Sequence, residues 1–395
     1  MVRSGEHGDS EGSQDVPDIY RQIGVRTIIN GRGATTAVGG TLMPPEVIAA
    51  MAQASRAFVS LDELNAAVGR RVAGVTGAEA GYVTSGSAAG MALAAAACIT
   101  GMDPALVRQL PDTRGIPNEI VIHRAHRLNY DQMYRLAGGL LVEIGVPQLT
   151  ERWELERAIG ANTVAVAYHD SPSCGGGALD FATCVEIAHA RHVPIFVDAA
   201  STLPPVDHLR RWIRDGADLV IYSGGKGIRG PQDAGLLAGR ADLIAAARLN
   251  GSPRAAIGRG MKVTKEAMAG LWVAIERFMQ HDHAAEFRFH TAQAERLVSR
   301  LADRPDLSCV IEGDWEAWPA PIVRIFPRER EWSPGAVQDA LIDGEPSIHI
   351  NAERGGLMIN THCLGEGDET IIADCLRQLL DGGAVADSAP DRVGG

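Results

Sequence analysis

Lys226 lies in the stretch Ser223-Gly224-Gly225-Lys226-Gly227-Ile228-Arg229-Gly230-Pro231-Gln232, directly after the apolar run Leu219-Val220-Ile221-Tyr222. A buried strand that ends in small residues and presents one amine opens that amine to a flat ligand, because glycine lets backbone and ligand approach closely. In such a pocket the charged form loses solvation, so the amine can act as a nucleophile and form a Schiff base. Standing alone, it is more often a lysine in a glycine-rich turn. Two other groups bear on it. Asp198 follows the apolar run Pro194-Ile195-Phe196-Val197. Acids in such places are scarce unless paired, so it is a helix cap or a functional carboxylate. Beside a pyridine nitrogen it would keep the ring protonated and make it an electron sink. In Thr84-Ser85-Gly86-Ser87-Ala88-Ala89-Gly90 two hydroxyls and a glycine precede a very apolar stretch. Backbone N–H groups at a helix start, with those hydroxyls, suit an anionic phosphate. An N-cap with a tight turn explains one serine and the glycine.

The elements around these residues alternate. Strand-like runs fall at 80–84, 119–122, 140–144, 163–168, 193–197, 219–222 and 235–238, with helical patterns between them, among them 44–59, 62–75, 88–99, 151–159 and 181–191. Near-continuous apolar strands separated by helices predict an α/β fold, a mostly parallel sheet covered on both faces as a three-layer αβα large domain. Beyond about residue 254 the texture changes. Helical tracts at 264–279 and 284–301 precede short strands at 309–311, 322–326, 347–350 and 357–359 and a closing helix at 369–380, which predicts a smaller C-terminal α+β domain. The expected division is a flexible tail at 1–25, a large domain at 26–255, a small domain at 256–383 and a second tail at 384–395. In an open parallel sheet ligands bind at the carboxyl ends of the strands, and all three motifs fall there. Asp198 and Lys226 are 28 positions apart, room for one helix and one strand, so both can face one crevice.

The order phosphate cradle, acid after a strand, lysine after the next strand resembles the pyridoxal-phosphate enzymes of the aspartate-aminotransferase fold (fold type I). The likeness is most specific to their selenocysteine-synthase-like, D-glucosaminate-6-phosphate-ammonia-lyase-like branch. The residues that carry it are Ile29-Asn30-Gly31-Arg32-Gly33, Gly39-Gly40-Thr41-Leu42-Met43-Pro44-Pro45, Val83-Thr84-Ser85-Gly86-Ser87, Val197-Asp198-Ala199-Ala200, Ser223-Gly224-Gly225-Lys226 with Gly230-Pro231-Gln232, and Gly258-Arg259-Gly260-Met261-Lys262-Val263. The resemblance implies pyridoxal 5'-phosphate as cofactor, Lys226 as its Schiff-base lysine and proton carrier, and Asp198 against the pyridinium. It also implies Ser85, Gly86, Ser87 and Ser223 on the phosphate, and His126 stacked on the ring, with His123 as its competitor. Ser171 and Ser173 would reach the cofactor hydroxyl, although turn chemistry in Ser171-Pro172-Ser173 explains them equally well. Many enzymes of this fold clamp the substrate carboxylate with a late arginine. Here the corresponding stretch, Leu357-Met358-Ile359-Asn360-Thr361-His362, has none, which leaves Arg32, Arg259 and Arg354 as candidates. Lys262, Lys265 and Arg259 suit a second anionic group on the substrate, or merely form a basic helix start.

The reaction expected from the resemblance is α,β-elimination on a small polar amino acid, phosphorylated or polyhydroxylated, by a lyase that releases ammonia or water. An amino-acid racemase or epimerase is the alternative, followed by an aldolase. A selenium transferase must grip tRNA, and the net charge of −12 argues against a nucleic-acid or anionic-membrane surface. A non-catalytic scaffold has no need of the amine. Six cysteines without a CxxC pair read as reduced thiols, not a disulfide framework or a zinc site, and no metal is expected. The N-terminus lacks a signal-peptide pattern, and the longest apolar run, 91–100, is half of the roughly 20 residues that span a bilayer. A cytoplasmic enzyme is expected. By resemblance it is a homodimer or a multiple of one, with the segments 30–43 and 258–263 near the subunit contact.

Overall fold

The computed structural model of the chain describes residues 18–171, 174–315, 319–328 and 332–382. Its strands are β1 (Ile28–Asn30), β2 (Ala80–Thr84), β3 (Glu119–His123), β4 (Leu140–Ile144), β5 (Thr163–His169), β6 (Ile195–Asp198), β7 (Leu219–Ser223), β8 (Gly235–Gly239), β9 (Leu307–Glu312), β10 (Ile322–Pro327), β11 (Ser347–His349), β12 (Asn351–Glu353) and β13 (Gly356–Asn360). Seven of them form the central sheet in the order β2-β8-β7-β6-β5-β3-β4. β8 runs against both its neighbours and every other pair is parallel.

Alternation along each strand feeds two cores. In β7, Leu219 and Ile221 pack with the helix Gly86–Thr100, whereas Val220 and Tyr222 pack with Val72, Trp212 and Leu271 on the opposite face. Both faces are dry, so the strands read as unbroken apolar runs. The helix Gly86–Thr100 is apolar almost all round because it is wedged between the sheet and the helix Ala241–Asn250. The mostly parallel, helix-covered sheet and the smaller α+β unit expected from the sequence are both present.

The small unit is an antiparallel sheet, β12-β13-β10-β9, sharing one core with the helices His283–Leu301, Pro334–Asp343 and Asp368–Asp381. Its packing departs from the division expected at residue 255. β1 pairs in parallel with β11, so residues near the N-terminus join the small unit. The helix Lys265–Gln280 instead buries Ala267, Leu271, Ile275 and Phe278 in the core of the large sheet. An amphipathic stripe states that a helix has an apolar face, not which sheet the face covers. The stretch assigned to an N-terminal tail also carries a short helix, Asp18–Gln22, in its described part, and 384–395 lies outside the described residues. Among the described residues no helix is long and apolar enough to cross a membrane.

β2 is an edge strand, and Asn65 on the helix Leu61–Thr76 closes its free side: Nδ2 donates to the Val83 carbonyl at 2.9 Å and Oδ1 accepts from the Val83 N–H at 3.0 Å. β2 leads into Ser85, so this pair anchors the start of the site. Asn65→Ala leaves both backbone groups buried without partners. The expected cost is about 2 kcal/mol, seen as a lower denaturant midpoint with an unchanged slope.

Candidate active site

Parallel strands bring their carboxyl ends to one rim. There β5 ends at His169, β6 at Asp198 and β7 at Ser223, and β2 runs out at Thr84 beside them. A cavity of about 330 Å³ opens at this rim, lined by Ser85, Gly86, Ser87, Asp198, Ser223 and Lys226 together with Thr35, Gly40, Tyr130, His169, Asp170, Ser171, Ser201 and Gln232. A larger space of about 630 Å³ lies between the helices Leu61–Thr76 and Ala241–Asn250. It holds none of these strand-end groups, and its arginines 248 and 254 are already paired with Asp62. Chemistry, not volume, marks the smaller cavity as the site.

The Lys226 loop is built on close backbone approaches. The Gly224 N–H donates to the Ala234 carbonyl and the Gly230 N–H to the Gly224 carbonyl, both at 2.8 Å. A Cβ on Gly225 would lie 2.4 Å from Gln232 Cα, and one on Gly227 would lie 2.2 Å from the Leu203 carbonyl oxygen. These two positions require glycine. The Thr41 hydroxyl fastens the N-terminal segment to the loop by donating to the carbonyls of Gly225 and Lys226, 3.1 Å each. Burial holds the Lys226 amine below its ordinary value of 10.5, and the Asp198 carboxylate partly opposes that shift.

Asp198 is 9% exposed, and its Oδ1 accepts from the Ala200 N–H at 3.1 Å, which fixes the carboxylate at the strand end. Across the cavity, Ser85 occupies the N-cap of the 15-residue helix Gly86–Thr100, yet its side chain makes no capping bond, which removes the capping explanation for that serine. Gly86 takes φ +72, a left-handed conformation that turns the chain into the helix. β8 approaches this turn so closely that a Cβ on Gly235 would sit 2.4 Å from the Gly86 carbonyl carbon. An uncapped helix start flanked by serine hydroxyls is the donor set for a phosphate dianion, and a strand-end carboxylate opposite a poorly solvated amine is the set for a pyridine aldehyde. The residues fit pyridoxal phosphate.

Other expected residues fall differently. His126 is buried but does not line the cavity. Its ring stands 6.4 Å from that of His169, nearly parallel at 12°, and its Nδ1 accepts from the His169 N–H at 3.3 Å. Burial first, then the neighbouring imidazoles, bring His126 down to about 3, so it is neutral. His123 is likewise away from the cavity wall and is pushed by burial to about 4. His169, which the sequence reading passed over, is at the wall, its Nε2 held 2.8 Å from the Tyr134 hydroxyl. Asp170 is there too, with its carboxyl raised chiefly by burial. Both lie at the carboxyl end of β5, and the strand-end rule that found Asp198 applies to them unchanged. Ser171 lines the cavity, while Ser173 lies outside the described residues. None of the three candidate arginines is at the wall. Arg32 donates through Nε to Asn351 Oδ1 at 2.8 Å, Arg259 is exposed, and Arg354 sits exposed with φ +51 in the β12–β13 turn. Lys262 is exposed, and Lys265 donates to the Ala54 carbonyl at 2.7 Å. Lys226 is the sole Lys or Arg among the described lining residues.

A family model described as SelA: L-seryl-tRNA selenium transferase matches residues 28–301. The chain is 35% identical to a D-glucosaminate-6-phosphate ammonia lyase of Salmonella typhimurium over 92% of this chain and 98% of that one. A solved structure of D-glucosaminate-6-phosphate ammonia-lyase superimposes with a TM-score of 0.80 at 35% identity, covering 93% of this chain and 99% of that one. A Streptomyces 5'-C-glycyluridine monooxygenase-decarboxylase is 33% identical over 94% of each chain. A Sphingomonas wittichii serine palmitoyltransferase, at 15% identity with a TM-score of 0.58 over 88% of this chain and 86% of that one, agrees in fold alone.

The lowered amine gives a pH signature without any ligand. Between the folded value of Lys226 and 10.5 the unfolded chain holds a proton that the folded chain has released, so this group makes the fold more stable as pH rises through that window. In cofactor-free protein, Lys226→Met is therefore expected to raise the melting temperature most at the low end of the window, with the advantage shrinking toward 10.5. A difference that stays constant with pH contradicts the buried amine.

Proposed function

Since the chain belongs to the L-seryl-tRNA selenium transferase (SelA) family, we propose that it is a pyridoxal-phosphate lyase. Its reaction is α,β-elimination on a small polar amino acid of the ammonia-lyase or dehydratase type. The observation that carries this reading is the single cavity in which Lys226 and Asp198 face the Ser85–Ser87 helix start. The 35% identity to the ammonia lyase, nearly end to end, supports the reaction type and favours a polyhydroxylated, phosphorylated substrate.

Bound pyridoxal phosphate supplies an electron sink for the pair left when the substrate α-C–H bond breaks. Lys226 Nζ would hold the cofactor through its aldehyde carbon until the substrate amine displaces it, and would then take the α-proton; its lowered basicity suits it to pass that proton on. Asp198 would keep the ring nitrogen protonated. Ser85, Ser87, Ser223 and the Gly86 N–H would hold the phosphate. His169 lines the cavity and would face the ring, with the buried His126 ring nearly parallel to it 6.4 Å away. The β-hydroxyl leaves as water with the proton that Lys226 took from the α-carbon; the enamine product tautomerises to an imine, which water hydrolyses to a 2-oxo acid and ammonia.

Among the described lining residues no arginine is present to clamp a carboxylate, and a second copy of the chain is the proposed source. Leu42, two residues beyond the cavity-lining Gly40, is 80% exposed, Phe58 is fully exposed, and Arg259 is exposed on its loop. In the homodimer proposed here Arg259 reaches the partner's cavity. The acidic net charge and the absence of a described membrane-spanning helix favour a cytoplasmic enzyme of small molecules over a tRNA enzyme.

Incubating candidate D- and L-amino acids, including 2-amino aldonic acids and their phosphates, in deuterated water separates the readings. A 2-oxo acid with ammonia supports the lyase; solvent deuterium on an inverted but otherwise unchanged substrate supports a racemase. Oxygen uptake with carbon dioxide release supports chemistry like that of the monooxygenase-decarboxylase relative, the second reading that the 33% identity favours. Lys226→Ala is expected to lose the visible absorption of bound cofactor and about 10³-fold or more in turnover. Arg259→Ala is expected to raise KM about 30-fold with the cofactor absorption intact, the loss of one charged hydrogen-bonded contact.

A further inference from the structure

The chain turns sharply where the helix Lys265–Gln280 ends and the helix His283–Leu301 begins, and the turn gathers three side chains, His281, His283 and Glu286. Glu286 Oε2 lies 3.3 Å from His281 Nε2 and 3.7 Å from His283 Nδ1, and all three ligand atoms fall within 4.8 Å of one another. Both nitrogens are buried and neither has a hydrogen-bond partner, so the short distances are not hydrogen bonds. The His283 side chain is nearly fully buried, and its other nitrogen, Nε2, lies 2.8 Å from the Phe278 carbonyl. A carbonyl accepts only from N–H, so in neutral His283 the proton is on Nε2 and Nδ1 turns a lone pair toward the cluster. Lone pairs and a carboxylate oxygen aimed at one point repel unless a proton or a cation lies among them, and a cation satisfies all three at once.

We propose that His281, His283 and Glu286 form a binding site for one divalent transition-metal ion of the zinc class. Tetrahedral ligands about 2.0–2.1 Å from such an ion stand about 3.3 Å apart, close to the two spacings from Glu286, and three protein ligands leave one position for water. The second carboxylate oxygen, Oε1, accepts from Arg229 Nη2 at 2.7 Å, the outer-shell support that ligating carboxylates commonly have. The guanidinium also opposes the ion's charge, so the site binds more weakly than a structural zinc site. The triad does not line the catalytic cavity, which assigns the ion a positioning role. One helix of the turn packs on the large sheet and the other on the small sheet, and Arg229 belongs to the Lys226 loop. An ion there ties both units to that loop. The spacing His-x-His-x-x-Glu was the available sequence signal, hidden because the cysteines alone had been weighed as metal ligands.

The test uses the full-length protein with its cofactor, freed of metal by a chelator and titrated with Zn²⁺ or Co²⁺ alone. The expected result is one ion per chain by equilibrium dialysis, a Co²⁺ visible spectrum of low-coordinate nitrogen and oxygen ligation, and a higher melting temperature. His281 is partly exposed, so His281→Ala should keep the circular dichroism and cofactor absorption of the parent while binding at least about tenfold more weakly. Should His281→Ala not fold, His281→Gln replaces it in the same assay. No uptake by the wild type, or equal uptake by wild type and variant, overturns the site.

Discussion

Desolvation of the Lys226 amine is the constraint on which the site depends. A surface lysine is protonated and inert as a nucleophile; this one is withdrawn from water, and burial outweighs the opposing pull of Asp198. Dryness here comes from backbone contacts. Gly225 and Gly227 let Gln232 and Leu203 close over the loop at distances no side chain permits, and Thr41 brings the N-terminal segment down as a lid. The same approaches fix where the amine stands relative to β6, so the electrostatics and the geometry of the pair have one cause.

That cause explains why so much of the site was legible in the sequence. Lys226, Asp198, Ser85–Ser87 and Ser223 each follow an apolar run, and parallel topology brings such positions to one rim whatever the helices between them do. His169 and Asp170 obey the same rule, and the Ser171-Pro172-Ser173 turn follows directly beyond them. His126 is the contrasting case. The loop after β3 brings Leu128 and Tyr130 to the cavity wall but not His126, because which imidazole reaches the wall depends on how β3 and β5 pack side by side, and local sequence carries no record of that.

Fold-level legibility broke at the seam between the two sheets. β1 is three residues long, and its partner β11 is more than 300 positions away, so no local pattern announces the pairing. The helix Lys265–Gln280 has a clear apolar face that serves the large sheet although its chain position suggests the small one. Both misplaced elements stitch the units together, one from each direction. The Lys226 loop joins the same seam, since Arg229, held at φ +56, pairs with Glu286 on the first small-unit helix. A non-glycine residue in that conformation persists only where its surroundings hold it there. The ion pair thus sets the exit of the loop as the glycines set its entry.

Within the described strands of the small unit no arginine is free to clamp a carboxylate. Its one arginine inside the sheet, Arg324 on β10, is 5% exposed and spent on Glu312 and Glu353, which flank it from β9 and β12. The groups that would select a substrate are then to be sought in the loops over the cavity rather than at the strand ends. This agrees with relatives of 35% and 33% identity named for elimination and for oxidative decarboxylation. The strand ends carry His169, Asp198 and Ser223, with Lys226 just beyond, whereas the rest of the cavity wall, Thr35, Tyr130 and Ser201 among it, comes from segments outside the sheet.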